Sequence, residues 1–160
     1  MLDRLIVPIL GAVDLDPCSN RWSIVPAPVA WRRGALERPW FGRVYMNNPY
    51  SKNGRWVKKC AAELEAGHVV AILALMPAAP TTVWWLDALR TVAASAMLRG
   101  RITFGGASQG AMFGSGLLLW THDAATTERF MFAVRSWGGT CAVRIRGGAF
   151  RQHVFAGVAA

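Results

Sequence analysis

Long apolar runs, paired cysteines and a leader-like N-terminus are all missing from this chain of 160 residues. The longest apolar run, residues 69–79, is about 11 residues long, whereas a membrane-spanning helix needs roughly 20. The 3 cysteines form no C-x-x-C pair, so neither a disulfide framework nor a zinc site is indicated. The N-terminus places Asp3 beside Arg4, which fits neither a signal peptide nor a transit peptide. We therefore expect a cytoplasmic protein with no membrane partner and no bound metal.

Several common nucleotide-site motifs are missing as well. The chain has no G-x-G-x-x-G fingerprint and no P-loop, which disfavours a dinucleotide-dependent hydride carrier and an NTPase. It also lacks the H-E-x-x-H motif of zinc proteases.

Acidic residues are scarce relative to basic ones. Lysine and arginine number 18 against 9 aspartates and glutamates, which gives a net charge of +9 and a pI near 10.8. This balance favours a polyanionic partner such as nucleic acid. The alternative is that basic charge keeps soluble a chain that is 53% hydrophobic and contains 8 tryptophans.

Short apolar runs alternate with amphipathic helical patterns, which indicates an α/β fold in a single domain. Apolar spacing predicts a helix over residues 53–66, and the run 69–75 predicts a central strand buried on both faces of a mostly parallel sheet. Thr81 or Thr82 is expected to cap a helix running to about residue 94. Further strands are expected at 12–15, 43–46, 96–98, 117–120 and 141–145, and a last helix at 126–137. The proline-rich residues 20–40 are expected to form a long loop with at most one helical turn.

Residues 99–116 form a basic segment that contains 6 glycines together with Arg99 and Arg101. Glycine lets the backbone approach a ligand closely, and arginine makes bidentate contacts to phosphate or to a guanine edge. The segment is therefore expected to be an exposed loop that contacts nucleic acid, or alternatively a pair of glycine-rich turns between edge strands.

Two polar segments follow predicted strands. Asn47, Asn48, Pro49 and Tyr50 follow the strand at 43–46, at the kind of strand end where open α/β sheets place their sites. An asparagine oxygen and a backbone carbonyl can accept hydrogen bonds from an amino group, and tyrosine can stack on a planar base. The alternative is a simple Asn-Pro turn with a tyrosine covering the core edge.

The other polar segment comes earlier in the chain. Asp14 and Asp16 are followed by Pro17, Cys18 and Asn20. A carboxylate at this strand end could bind the amino group or the ribose hydroxyls of a nucleotide cofactor. Equally, the two aspartates could simply end a strand.

The chain contains, in this order, the segments D-L-D-P-C-S-N, W-F-G-R-V-Y-M-N-N-P-Y-S, G-R-W-V-K-K, V-V-A-I-L-A-L-M-P-A, T-x-x-W-W and L-R-G-R-I-T-F-G-G. Over about residues 5–120, this order resembles phage-type DNA N-6-adenine methyltransferases. The resemblance implies a class I methyltransferase-like (Rossmann-like) fold with helices flanking the sheet. It further implies S-adenosylmethionine as cofactor and methyl transfer to N6 of adenine in double-stranded DNA, in a bacterial cytoplasm and of phage or prophage origin.

The resemblance assigns roles to individual residues. Asn47, Asn48, Pro49 and Tyr50 match the family's N-P-P-Y catalytic motif. Asn47 and the Asn48 carbonyl would accept hydrogen bonds from N6, and Tyr50 would stack on a base flipped out of the duplex. The cofactor segment is matched by Asp14, Asp16, Pro17, Cys18 and Asn20.

Basic side chains complete the expected site. Phosphate contacts are expected from Lys52, Arg55, Arg99 and Arg101, whereas Lys58 and Lys59 fit a solvated helix face.

The chain departs from the family pattern in three ways. Asn48 replaces the first proline of N-P-P-Y, and residues 32–36 carry no counterpart of a family acid that precedes a Gly-Leu pair. A W-x-T-P segment that family members carry before the first strand is also missing. A catalytically impaired DNA-binding remnant of the family is therefore the alternative function, and methylation of another amine, in RNA or protein, is a third.

Overall fold

Helices cover both faces of a mixed β-sheet that has eight strands in the described part of the chain. A computed structural model describes residues 2–100, 102, 113–144 and 150–153. The strands are β1 (Leu15–Asp16), β2 (Val29–Ala30), β3 (Gly42–Met46), β4 (Val69–Pro77), β5 (Ala94–Met97), β6 (Ser115–Thr121), β7 (Thr140–Arg144) and β8 (Phe150–His153). The helices are α1 (Val7–Leu10), α2 (Asn53–Glu65), α3 (Val83–Leu89) and α4 (Ala124–Trp137). A π-helical turn (Leu2–Ile6) precedes α1, and a 3-10 turn (Tyr50–Lys52) precedes α2. The predicted α/β class is confirmed.

The strand order is β2-β1-β3-β4-β6-β5-β7-β8. Strand β1 pairs in parallel with β2 and β3, and β3 pairs in parallel with β4. The pairs from β4 through β6, β5 and β7 to β8 are all antiparallel. The sheet is thus mixed rather than mostly parallel, because β6 runs antiparallel between β4 and β5. A continuous apolar run indicates that a strand is buried on both faces, but it does not indicate whether its neighbours are parallel or antiparallel.

Strand β4 lies at the centre of the sheet, as the apolar run 69–75 predicted, and it extends to Pro77. Its side chains alternate between two apolar cores. Leu73 and Leu75 belong to the core that includes α1 and α4, while Ile72 and Ala74 belong to the core that includes α2 and α3. The strand is therefore covered on both faces.

The helices follow the sequence predictions with one clear difference. Helix α2 ends at Glu65, and α4 begins after Asp123, whose carboxylate accepts hydrogen bonds from two backbone N–H groups of the first turn. Helix α3 ends at Leu89, earlier than predicted, because β5 already begins at Ala94. Thr82 stands at the N-cap of α3, but its hydroxyl donates to the Ala79 carbonyl instead of capping the helix.

The long segment 20–40 is not only loop. It contains the short strand β2, whose Val29 pairs in parallel with Leu15 of β1. Strand β1 covers only Leu15–Asp16, later than the predicted 12–15. Parallel pairing of β2, β1 and β3 brings the carboxyl ends of these strands to one edge of the sheet.

The basic segment 99–116 lies only partly within the described residues. Its last two residues, Ser115 and Gly116, begin β6, so the predicted loop ends sooner. Arg101 lies outside the described residues. In the part of the chain that is described, no helix is long and apolar enough to cross a membrane.

Candidate functional site

A cavity of about 660 Å³ opens at the carboxyl ends of β1, β2 and β3. Three chain segments that follow these strands form its wall, together with one tryptophan of α2. The lining residues are Pro17, Cys18, Ser19 and Asn20; Arg32, Arg33, Gly34, Ala35, Leu36 and Glu37; Asn47, Asn48, Pro49 and Tyr50; and Trp56. The two polar segments singled out in the sequence therefore meet in one cavity.

Asp16 is buried at the end of β1 and organises the turn that follows it. One carboxylate oxygen accepts the backbone N–H of Cys18 at 3.1 Å, and the other accepts the Ser23 hydroxyl at 2.9 Å. Burial raises the pKa of Asp16, although these hydrogen bonds oppose the shift. Asp16 does not itself line the cavity, whereas Pro17, Cys18 and Asn20 do. Its carboxylate therefore fixes, by hydrogen bonds, the turn that forms this wall.

Asp14 is hydrogen-bonded to the neighbouring strand. Its Oδ2 accepts the backbone N–H of Arg43 at 2.7 Å, which ties β1 to the start of β3. A Cβ on Gly42 would lie 2.4 Å from that oxygen, and Gly42 has φ +65°, so glycine is required there. Asp14 is not among the residues that line the cavity. Its carboxylate is engaged in the sheet.

Asn47 and Tyr50 form a hydrogen-bonded pair in the turn after β3. The Tyr50 hydroxyl donates to Asn47 Oδ1 at 3.0 Å, and the Tyr50 ring contacts Phe113 edge to face, with centroids 5.4 Å apart. Burial raises the pKa of Tyr50 to about 12, so its hydroxyl remains protonated and can donate. The amide oxygen of Asn47 is thus held by a tyrosine on the same turn, and both residues line the cavity.

Asn48 is buried in this turn and is only partly hydrogen-bonded. Its Nδ2 donates to the Pro49 carbonyl at 3.0 Å and to Asn53 Oδ1 at 2.9 Å. Its Oδ1 is buried and has no hydrogen-bond partner among the described residues. An amide oxygen can accept two hydrogen bonds, so an acceptor is left unused at this wall.

Cationic side chains surround a second cavity, of about 600 Å³, which shares Tyr50 with the first. Lys52 and Arg55, two of the predicted phosphate-binding residues, both line it, and both are exposed. Lys58 lines it as well. The one carboxylate in this lining, Asp87, is paired with Arg90 at 2.9 Å. We call this second cavity the basic cleft.

The predicted basic residues are not all brought together. Arg99 follows β5 at the same edge of the sheet, but it lies beside Gly138 at the end of α4 and lines neither cavity. Among the described residues, no cluster of three or more histidines, cysteines or acidic side chains could hold a metal ion.

Residues 32–37 form the third wall of the cavity. Apolar patterning gave no sign of this wall, and only the family resemblance, through the missing acid at residues 32–36, pointed to the segment. These residues follow β2, which is too short to leave a recognisable apolar pattern. Arg33 and Glu37 place opposite charges on this wall, and both side chains are exposed. Position along the chain could have indicated this wall, because a segment that follows a parallel strand reaches the same edge of the sheet as the segments that follow neighbouring strands. Trp56 was predicted on the inner face of α2, but its place at the cavity was not foreseen.

Two comparisons, with curated proteins and with solved structures, yield no match. A family model described as DNA N-6-adenine-methyltransferase (Dam) matches residues 9–130. The matched region includes both turns that line the cavity, and it covers more than half of the chain. The chain belongs to the DNA N-6-adenine-methyltransferase (Dam) family.

Proposed function

We propose that this protein transfers a methyl group from S-adenosylmethionine to the N6 amino group of adenine in double-stranded DNA. The observation that carries the proposal is the meeting of two turns at one cavity. One is the Asp-Pro-Cys-Ser-Asn turn after β1, and the other is the Asn-Asn-Pro-Tyr turn after β3. The family assignment supplies the chemistry, and the family resemblance suggests a cytoplasmic, phage- or prophage-derived role in DNA modification.

The first cavity fits a nucleoside cofactor in size and in chemistry. Its volume of about 660 Å³ lies within the usual range for small-molecule sites. Pro17, Cys18 and Asn20 would hold the cofactor from one side, with Asp16 fixing their backbone. Burial and the neighbouring Asp16 raise the pKa of the Cys18 thiol, so this wall is uncharged there. Bound S-adenosylmethionine supplies an electrophilic sulfonium methyl group.

Asn47 and Asn48 would orient the target amine. Asn47 Oδ1 and the Asn48 backbone carbonyl would each accept one N6 hydrogen, which aims the nitrogen lone pair at the methyl group. Asn47 Oδ1 could accept this hydrogen bond beside the one from the Tyr50 hydroxyl, and the Tyr50 ring would stack on the base. Held in this way, the target nitrogen would be placed to take the methyl group that the cofactor supplies, and it would then release one proton to solvent.

The basic cleft would bind the DNA backbone next to the reacting base. Lys52 and Arg55 are exposed there, and the shared Tyr50 links the cleft to the first cavity. Phosphate neutralisation by these cations makes binding dependent on salt. We propose further phosphate contacts for Arg99, which follows β5, and for Arg101.

The test is methyl transfer from labelled S-adenosylmethionine to unmethylated duplex DNA, followed by digestion to nucleosides. Label in N6-methyladenine is the expected result. Duplex DNA that binds without acquiring label would instead identify a DNA-binding remnant. Label in an equal mass of RNA, and not in DNA, would point to a different amine substrate.

A further inference from the structure

The side-chain amide of Asn48 has one satisfied end and one unsatisfied end. Its nitrogen uses both hydrogens, on the Pro49 carbonyl and on Asn53 Oδ1. The Pro49 carbonyl can only accept, so the nitrogen must face it, and this fixes which end of the amide is oxygen. The oxygen is then the atom that is buried without a partner.

The nitrogen end holds the turn in place. Asn53 is the first residue of α2, and Lys52 at the N-cap position makes no side-chain cap. The Asn48 amide therefore connects the turn after β3 to the start of α2 by hydrogen bonds, at the position where the family motif has a rigid proline. The oxygen is not needed for this connection.

The carboxylates of Asp16 and Asp14 already bind protein donors, whereas the carboxylate of Glu37, on the third wall, is exposed. Asp16 accepts from Cys18 N–H and the Ser23 hydroxyl, and Asp14 accepts from Arg43 N–H. Asn47 Oδ1 and the Asn48 carbonyl match the two hydrogens of the target amine under the proposed function. A third acceptor on the same turn has no substrate hydrogen left to bind.

The cofactor's amino acid end carries an ammonium group with three N–H donors and a full positive charge. We propose that Asn48 Oδ1 accepts a hydrogen bond from this ammonium group, which makes Asn48 a cofactor-binding residue through its side chain. The inference rests on the proposed function and adds a contact that the N-P-P-Y motif cannot make, because proline has no such oxygen. Contact requires a small displacement of the turn, and satisfying the buried oxygen favours that displacement.

The experiment compares two ligands by calorimetry on the full chain and its variants. S-adenosylhomocysteine carries the ammonium group, and 5′-methylthioadenosine has the same nucleoside without the amino acid end. We expect Asn48→Ala to weaken S-adenosylhomocysteine binding about 10- to 100-fold, as for a lost hydrogen bond to a charged group. Binding of 5′-methylthioadenosine should change less than about twofold.

Two further variants separate contact from folding. Asn48→Pro removes the oxygen but restores the ring of the family motif, so it should show the same selective loss. Asn53→Ala removes the partner on α2 and leaves Asn48 Oδ1 in place, so it should not lower the ratio of the two affinities.

Each other outcome contradicts the inference. Equal weakening of both ligands by Asn48→Ala and Asn48→Pro would assign Asn48 a purely structural role. No weakening of either would leave the oxygen unused. If the unaltered chain binds 5′-methylthioadenosine but gains nothing from the amino acid end, the inference alone fails. If it binds neither ligand, the proposed function fails with it.

Discussion

The turns after β1 and β3 each bury one polar side chain, and they satisfy it to different degrees. Asp16 has partners for both carboxylate oxygens, whereas Asn48 has partners only for its nitrogen. A fully satisfied buried group stabilises local structure, whereas a buried acceptor without a partner carries a desolvation cost that a ligand's donor could offset. We therefore propose that the first turn acts as a scaffold and that the second carries the chemistry.

Of the variants that test this comparison, Asn47→Ala should have the largest effect, and that effect is a loss of turnover. It removes the acceptor that we propose for the target amine, and loss of one oriented polar group in an active site costs about 100-fold or more in turnover. Turnover is measured by methyl transfer to duplex DNA at saturating cofactor. The thermal midpoint should stay close to that of the parent, because Asn47 bonds only to Tyr50 among the contacts described. A variant as active as the parent would contradict the role of Asn47.

Asp16→Ala tests the scaffold turn and should act mainly on stability. The Cys18 N–H and the Ser23 hydroxyl lose their acceptor, which we expect to lower the free energy of unfolding by about 1–2 kcal/mol. Urea unfolding at neutral pH measures the change in the free energy of unfolding. Asn48→Ala is the matched control, because removal of a buried unsatisfied oxygen offsets its lost hydrogen bonds. A larger loss of stability in Asn48→Ala would reverse the comparison.

Asp16→Asn sharpens the comparison through pH. Burial holds the folded-state pKa of Asp16 above its ordinary value of 3.8, so the folded chain binds the proton more tightly than the unfolded chain. The stability that Asp16 contributes in this way is complete below pH 3.8 and is lost as pH rises through the folded-state pKa. Relative to Asp16→Asn, the parent should therefore become less stable as pH rises over this range. Unfolding of both proteins at several pH values measures the difference, and a difference independent of pH would contradict the shift.

Lys52→Ala and Arg55→Ala should have the smallest effects, and only on DNA. Each removes one exposed cation from the basic cleft, so the slope of log affinity against log salt should fall by about 1 per residue. Arg4→Ala is the control, since Arg4 stacks on Trp137 beyond the opposite face of the sheet. Fluorescence titration of duplex DNA at several salt concentrations gives the slopes. Equal slopes for Lys52→Ala, Arg55→Ala and Arg4→Ala would exclude the cleft as the phosphate site.

The elements predicted well are those whose burial pattern determines them. Apolar spacing located α2, and the run 69–75 located β4, because a central strand is buried on both faces. The direction of β6 was not predictable in this way, since burial is the same for parallel and antiparallel neighbours. Strand β2 has only two residues, so tertiary pairing with β1 determines it more than its own sequence does.

The sequence indicated which segments line the cavity, but it did not indicate what each side chain in them contacts. The sequence placed Asn47 to Tyr50 and Pro17 to Asn20 at strand ends, and both segments line the cavity. It could not distinguish Asp14 from Asp16, because one carboxylate bonds across strands to Arg43 and the other within its own turn. Such contacts depend on three-dimensional register. The position of residues 32–37 at the cavity depends in the same way on the pairing of β2 with β1, which the sequence does not indicate.

The pairing of β5 with β6 has a consequence for how this protein can change. The Leu98 N–H donates to the Ser115 carbonyl at 2.9 Å, so the intervening residues 99–114 leave and rejoin the sheet at hydrogen-bonded neighbours. In general, each doubling of a flexible loop's length costs only about 0.6 kcal/mol once its ends are held. Changes of chain length between Leu98 and Ser115 are therefore expected to cost the β5–β6 pairing little. Under the proposed function, the two turns at the cavity could stay unchanged while this segment varies.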